Sequence, residues 1–138
     1  MTDPIINIRN ALETALASIS PAIDIVHENG ERYEPTPDIP YCEAYLLVAP
    51  PGNPTQGGGY YQEQGVFQIN LQYPPLAGTL PCATQAGLIR TLFKRGAVFT
   101  DGGIKTQIDF TPEVGQGREE DGRWKQVIRI RWHADVFA

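Results

Sequence analysis

The sequence predicts an α+β fold, a mainly antiparallel or mixed sheet of about five strands with two helices packed on one face. Three observations carry that expectation. A two-residue alternation runs through GVFQINLQY (65–73) and again through RWKQVIRIRWHADVF (123–137), the mark of strands with one face in a core. Apolar residues recur at three and four positions in two other stretches, as an amphipathic helix requires. The elements follow in the order helix, three strands, helix, two strands. At 138 residues the chain fits one domain, 1–138, and 41% hydrophobic residues with a net charge of −5 place it among globular chains.

The first helix opens at Asp3-Pro4, where Asp caps free N–H groups and Pro suits the first turn. Ile5, Ile8, Leu12, Leu16 and Ile19 form its apolar stripe, with Arg9, Asn10 and Glu13 outward, and Ser20-Pro21 ends it. Few Lys or Arg accompany the stripe, so it reads as core-facing rather than membrane-facing. Residues 22–28, AIDIVHE, form a short strand closed by the turn pair Asn29-Gly30. From Tyr33 to Pro40 three prolines prevent a ladder, and the chain is expected to run extended on the surface. YCEAYLLVA (41–49) is apolar on both faces and reads as a central strand closed by Pro50-Pro51.

A long Gly/Pro-rich loop is expected next, residues 50–64, PPGNPTQGGGYYQEQ. Its three glycines match neither a Walker loop, which needs GK[ST], nor a dinucleotide loop, which leads into a helix. Tyrosine supplies contact area at low rotamer cost, so Gly57, Gly58, Gly59, Tyr60 and Tyr61 are read as a loop that orders against another subunit. The strand 65–73 follows and organises the fold. A second helix starts at Thr79 or Leu80, with Cys82, Ala86, Ile89 and Phe93 buried and Gly96 expected just past its end. Gly87 in its middle costs about 1 kcal/mol relative to Ala, either tolerated or leaving room for another backbone. Asp101-Gly102-Gly103 turns into a strand at 104–110, with Ile104, Thr106, Ile108 and Phe110 on one face. A polar linker, 111–122, ends in the hairpin pair Asp121-Gly122. The last strand points Trp124, Ile128, Ile130, Trp132, Ala134 and Val136 inward, and Arg123, Lys125, Arg129, Arg131 and His133 outward.

Charge is unevenly laid out. Residues 1–89 hold 2 basic and 9 acidic side chains, residues 90–138 hold 9 basic and 7 acidic, which suits self-association more than nucleic-acid binding. The basic stripe of the last strand is therefore expected to meet cross-strand carboxylates or acidic groups of a neighbouring subunit. Cys42 and Cys82 lack a CxxC spacing, so reduced thiols are expected, and no zinc site. Glu119, Glu120 and Asp121 read as solvated acids rather than a cation site. No catalytic residue, cofactor or metal ligand is indicated. An enzyme would have to draw on His27, His133, Cys42, Cys82 or Glu43, none at a telling spacing. Neither a signal peptide nor a spanning segment is expected.

The run from Tyr41 to Ala138 resembles the tail terminator-like proteins of long-tailed bacteriophages, through PYCEAYLLVAP, GVFQINLQYPPLAGTLP, TLFKRG, IDFTPEVGQG and EEDGRWKQVIRIRWHA in that order. The resemblance implies a structural virion protein that assembles with itself as a ring, usually a hexamer, on the head-proximal end of the tail. The ring would stop polymerisation of the major tail tube protein and offer a surface to a head-completion or connector protein. It implies no membrane and no sequence-specific nucleic acid as partner, with the protein in the virion tail and, during assembly, in the bacterial cytoplasm. Another head-tail connector or a tail-tube subunit is the alternative. Subunit or tube contacts are expected at residues 57–61 and at Arg123, Arg129 and Arg131.

Overall fold

The computed structural model describes residues 3–137; Met1, Thr2 and Ala138, the ends of the expected domain, lie outside the described residues. Helix α1 spans Pro4–Ala17, and the Asp3 carboxylate accepts from the Ile5 N–H at 2.8 Å, the cap that the sequence requires. The helix stops before Ser20-Pro21, because Ser18 turns its hydroxyl back onto the Ala15 carbonyl at 2.6 Å. Strands β1 (Asp24–His27), β2 (Tyr41–Gly52) and β3 (Tyr60–Tyr73) follow, then α2 (Leu80–Leu92). Next come β4 (Val98–Asp101), β5 (Ile104–Ile108), β6 (Glu113–Val114), β7 (Arg118–Glu120) and β8 (Arg123–Phe137).

Among the described residues the eight strands make one sheet in the order β1-β2-β3-β8-β5-β4, with β6 and β7 also paired to β8. All pairs are antiparallel except β1 with β2. The α+β class holds, but the sheet has more strands than the five expected, for two physical reasons. The supposed linker 111–122 lies along β8, with Thr106 opposite Ala134, Val114 opposite Ile128 and Arg118 opposite Lys125, so β5, β6 and β7 are one strand interrupted twice. Its polar sequence hides the ladder, since most of its side chains stay exposed and show no two-residue apolar alternation. Strand β4 is four residues long, too short for a period to register, and is joined to β5 by Gly102 and Gly103, both at positive φ.

Two further expectations are corrected. Pro50-Pro51 does not close β2, which continues to Gly52 through a bulge between Ala49 and Gly52. Neither Pro50 nor Pro51 has a register partner in β3, and among the described residues no strand pairs with the outer edge of β2 beyond Ala44, so the missing N–H groups fall in the bulge and at a free edge. For the same reason β2 is next to the edge rather than central. Strand β3 begins at Tyr60, which shortens the irregular stretch from 50–64 to residues 53–59. Phe110, expected in line with Ile108, is 58% exposed in the first interruption. Gly96 lies three residues past the α2 cap residue Phe93 and donates to the Ile108 carbonyl, instead of ending the helix.

Both helices pack on the same sheet face. Ile8, Leu12 and Leu16 of α1, with Cys82, Ala86 and Ile89 of α2, meet Phe67, Ile69, Leu71, Ile128, Ile130 and Trp132. Phe93 bridges Phe67 and Phe99, with ring centroids 5.9 and 5.2 Å away. Asn7, buried on α1, donates to Asp101 at 2.9 Å and ties the helix to β4. Burial pushes the Cys42 thiol up to about 12 and the Cys82 thiol to about 11, which leaves both protonated and poorly nucleophilic.

At Gly65 of β3 the β2 backbone and Trp132 of β8 both crowd the position a Cβ would take. A Cβ there would collide with the Leu47 carbonyl oxygen and lie 2.9 Å from Cζ2 of the fully buried Trp132. Gly65→Ala is therefore expected to destabilise by about 3 kcal/mol, the upper range for overpacking, read as a lower denaturant midpoint at unchanged slope. Glu63, two residues away and buried on the helix side, has its carboxyl raised above 4.5 by desolvation, with a smaller contribution from Asp3. Stability is lost as pH climbs from the ordinary carboxylate value through that raised one, because the folded state holds the proton more tightly. Glu63→Gln should flatten this part of the profile and raise Tm at pH 7; a Tm at or below that of the unsubstituted chain would contradict it.

Candidate functional site

The helices cover one face of the sheet; the other has none packed on it. Period-two geometry sends Gln68, Asn70 and Gln72 of β3 and Lys125, Arg129 and Arg131 of β8 to this open face. Arg129 stands opposite Gln68 on one side and Glu113 on the other, and Arg131 stands opposite Val66. Both guanidinium groups are exposed and form no ion pair among the described residues. Lys125 is already engaged, 3.6 Å from Glu120 and 3.4 Å from Asp121. His133 is hydrogen-bonded through Nδ1 to Asp109, while His27 meets Glu13 at 3.2 Å on the helix side.

Arg123, expected at a subunit contact, lies elsewhere. It is 8% exposed, its guanidinium donates to the carbonyls of Ile39 at 2.8 Å and Thr36 at 2.6 Å, and it sits 4.9 Å over the Tyr41 ring. The side chain fastens the proline-rich segment between β1 and β2 onto the start of β8. Tyr33 continues this packing, its ring 4.9 Å from that of Tyr41 and its hydroxyl donating to Asp24 at 2.8 Å. Nothing in the spacing of Arg123 distinguishes it from Arg129 and Arg131; only the tertiary path of residues 33–40 does.

The expected loop 57–61 divides in two. Gly57, Gly58 and Gly59 form part of an exposed hairpin tip, with nothing within 4 Å of where a Cβ would stand. Tyr60 and Tyr61 belong to β3. The Tyr60 hydroxyl donates to Asp135 at 2.6 Å, Gln62 donates to the same oxygen at 3.1 Å, and the Tyr60 ring stacks on Phe137 at 5.1 Å. These bonds hold the Asp135 carboxyl below its ordinary value, the Tyr60 bond most, and raise the Tyr60 phenol. The hairpin is thus clamped at its base and free at its tip.

Two surface features escaped the sequence. Glu43, Gln72, Arg118, Lys125 and Arg129 line a concavity of about 380 Å³ on the open face. Arg118 was out of view because its strand looked like linker. At the end of β3, Leu76 is 98% exposed with φ 62°, and Leu80, in the first turn of α2, is 75% exposed. The run PPLAG was the available signal, one leucine between a rigid proline pair and a glycine.

No curated protein matches the chain. A solved structure of a protein that bears no functional name is similar over 95% of both chains, with a TM-score of 0.77 and 23% identity, a likeness of fold alone. The family model described as phage tail terminator protein matches residues 7–132, from the first turn of α1 to Trp132 in β8. That match takes in the helix-covered core and most of the open face, and the chain belongs to the phage tail terminator family.

Proposed function

We propose that the protein acts as one domain and as a terminator in the full sense: copies of it close into a ring of six on the head-proximal end of the tail tube. The ring stops addition of tube subunits and presents its far side to a head-completion protein, after assembly in the host cytoplasm. Membership of a family of structural phage proteins supports this reading, and the observation that carries it furthest is the uncovered sheet face with Arg129 and Arg131 free of ion pairs. A closed ring needs two different patches on each subunit. The acidic first 89 residues and the more basic remainder supply opposite signs for them. On this reading Arg129 and Arg131 meet a neighbouring copy, and the tip with Gly57, Gly58 and Gly59, supported by Tyr60 and Tyr61, faces the tube or that neighbour. Arg123 is left to its own chain.

Sizing with mass detection and negative-stain imaging test this. The expected result is a closed particle of fixed mass over a range of concentrations, with purified tails capped at one end. Filaments of open length would indicate a tube subunit instead, and a monomer at every concentration would end the proposal. Arg129→Glu with Arg131→Glu should leave the thermal transition in place and weaken ring formation at least about tenfold, the scale of one lost charge-pair contact.

A further inference from the structure

The concavity on the open face has two chemically different walls. Toward β7 and β8 stand Arg118, Lys125 and Arg129, with Glu120 2.9 Å from Arg118 and 3.6 Å from Lys125. Cations outnumber carboxylates on this wall, and Arg129 makes no ion pair among the described residues. Toward β2 and β3 stand Glu43 and Gln72. Gln72 donates to Glu43 at 2.8 Å, yet its own carbonyl oxygen, in a side chain only 4% exposed, accepts from nothing among the described residues. That oxygen is closed off from the concavity, so the wall offers an incoming group the Glu43 carboxylate. The site is thus built for a segment of mixed sign, a cationic donor for one wall and carboxylates for the other.

The chain presents such a segment itself. After the Asn29-Gly30 turn come Glu31, Arg32, Tyr33 and Glu34, beside β1 at the outer edge of the sheet. Arg32 and Glu34 pair with each other at 3.0 Å while almost wholly in water, a contact of little strength that a better partner displaces. The loop is held in place: Tyr33 is bonded to Asp24 and packed on Tyr41, and Arg123 grips the carbonyls of Thr36 and Ile39. Little ordering remains to be done on binding.

We propose that the concavity receives the Glu31–Glu34 loop of a second copy of this chain, with Arg32 donating to Glu43 and the two carboxylates meeting Arg118 and Arg129. The proposal rests on the ring reading and names its contact. Loop and concavity are separate sets of residues that both border Glu43, and a ring requires that their contact repeat head-to-tail from copy to copy.

Two variants test it, Arg118→Glu with Arg129→Glu, and Glu31→Arg with Glu34→Arg. Each alone sets like charges against each other, and half-assembly should need at least about tenfold more protein. Mixed in equal amounts they should assemble again as alternating rings, because each reversed patch then meets its reversed counterpart; misfolded variants would give no such rescue. A variant that assembles like the unsubstituted chain, or a mixture that fails to recover, overturns the pairing. Variants that form normal rings but no longer seat on purified tails would assign the concavity to the tube or head protein and overturn it too. An unsubstituted chain that never associates removes the ring reading along with it, whereas intact rings from both variants remove only this contact.

Discussion

The antiparallel pairing of β3 with β8 is the constraint on which the rest depends. It runs unbroken from Tyr60 opposite Phe137 to Tyr73 opposite Trp124, a ladder roughly 45 Å long at 3.3 Å per residue. Slipping β8 by one residue against β3 would turn Ile128, Ile130 and Trp132 to water and bring Arg129 and Arg131 under the helices. So large an exchange of apolar for charged surface fixes the register without help from any single bond. Gly65 then lets β2 approach closely, and the broken strand β5–β7 fills the other side of β8.

An asymmetric molecule follows from that ladder. Two helices suffice to cover one face, and the described residues form no third to cover the other, so the open face is stabilised by polar side chains in water. Where side chains there find partners, as Lys125 with Glu120 or His133 with Asp109, the pairs are at least partly exposed and add little to stability. Charge on that face is therefore free to be arranged for recognition, because the fold does not depend on it. Arg123 is the exception: it shares the face by register, yet the segment 33–40 closes over it and turns it into a structural tie.

The strands that bury a face were legible in the sequence, and those that do not were mostly hidden. GVFQINLQY and the run from Arg123 to Phe137 announce themselves because alternate residues enter a core, and both helices because their stripes do. Strands β6 and β7 pair through their backbones while their side chains stay near solvent, so composition alone marks them as loop. Prolines in β2 misled for a related reason. They forbid a ladder only where a neighbour needs the N–H, and which edge of a strand is free is a tertiary fact. At the open face, alternation correctly placed Arg129 and Arg131 outward. It had no means of finding the concavity, whose walls come from four strands and whose Arg118 sat in apparent linker.

Features unfavourable to the isolated subunit fall into two groups, and their locations separate folding from assembly. Thr106 Oγ1 and Trp132 Nε1 are buried without partners on the helix side, among the residues that define the core. Each is a local cost, on the order of 1–3 kcal/mol for an unmade bond, that the surrounding apolar packing outweighs whether or not another molecule is present. Leu76, left-handed and almost fully in water, the neighbouring Leu80, and the orphaned Gln72 carbonyl lie outside that core. Among the described residues Gln72 Oε1 has no donor, and none of the three residues interrupts the β3–β8 ladder. A core tolerates such costs because it is cooperative. At the surface the same costs stand outside that cooperativity, so a change at Leu76 or Leu80 alters what the chain exposes to water without touching the ladder.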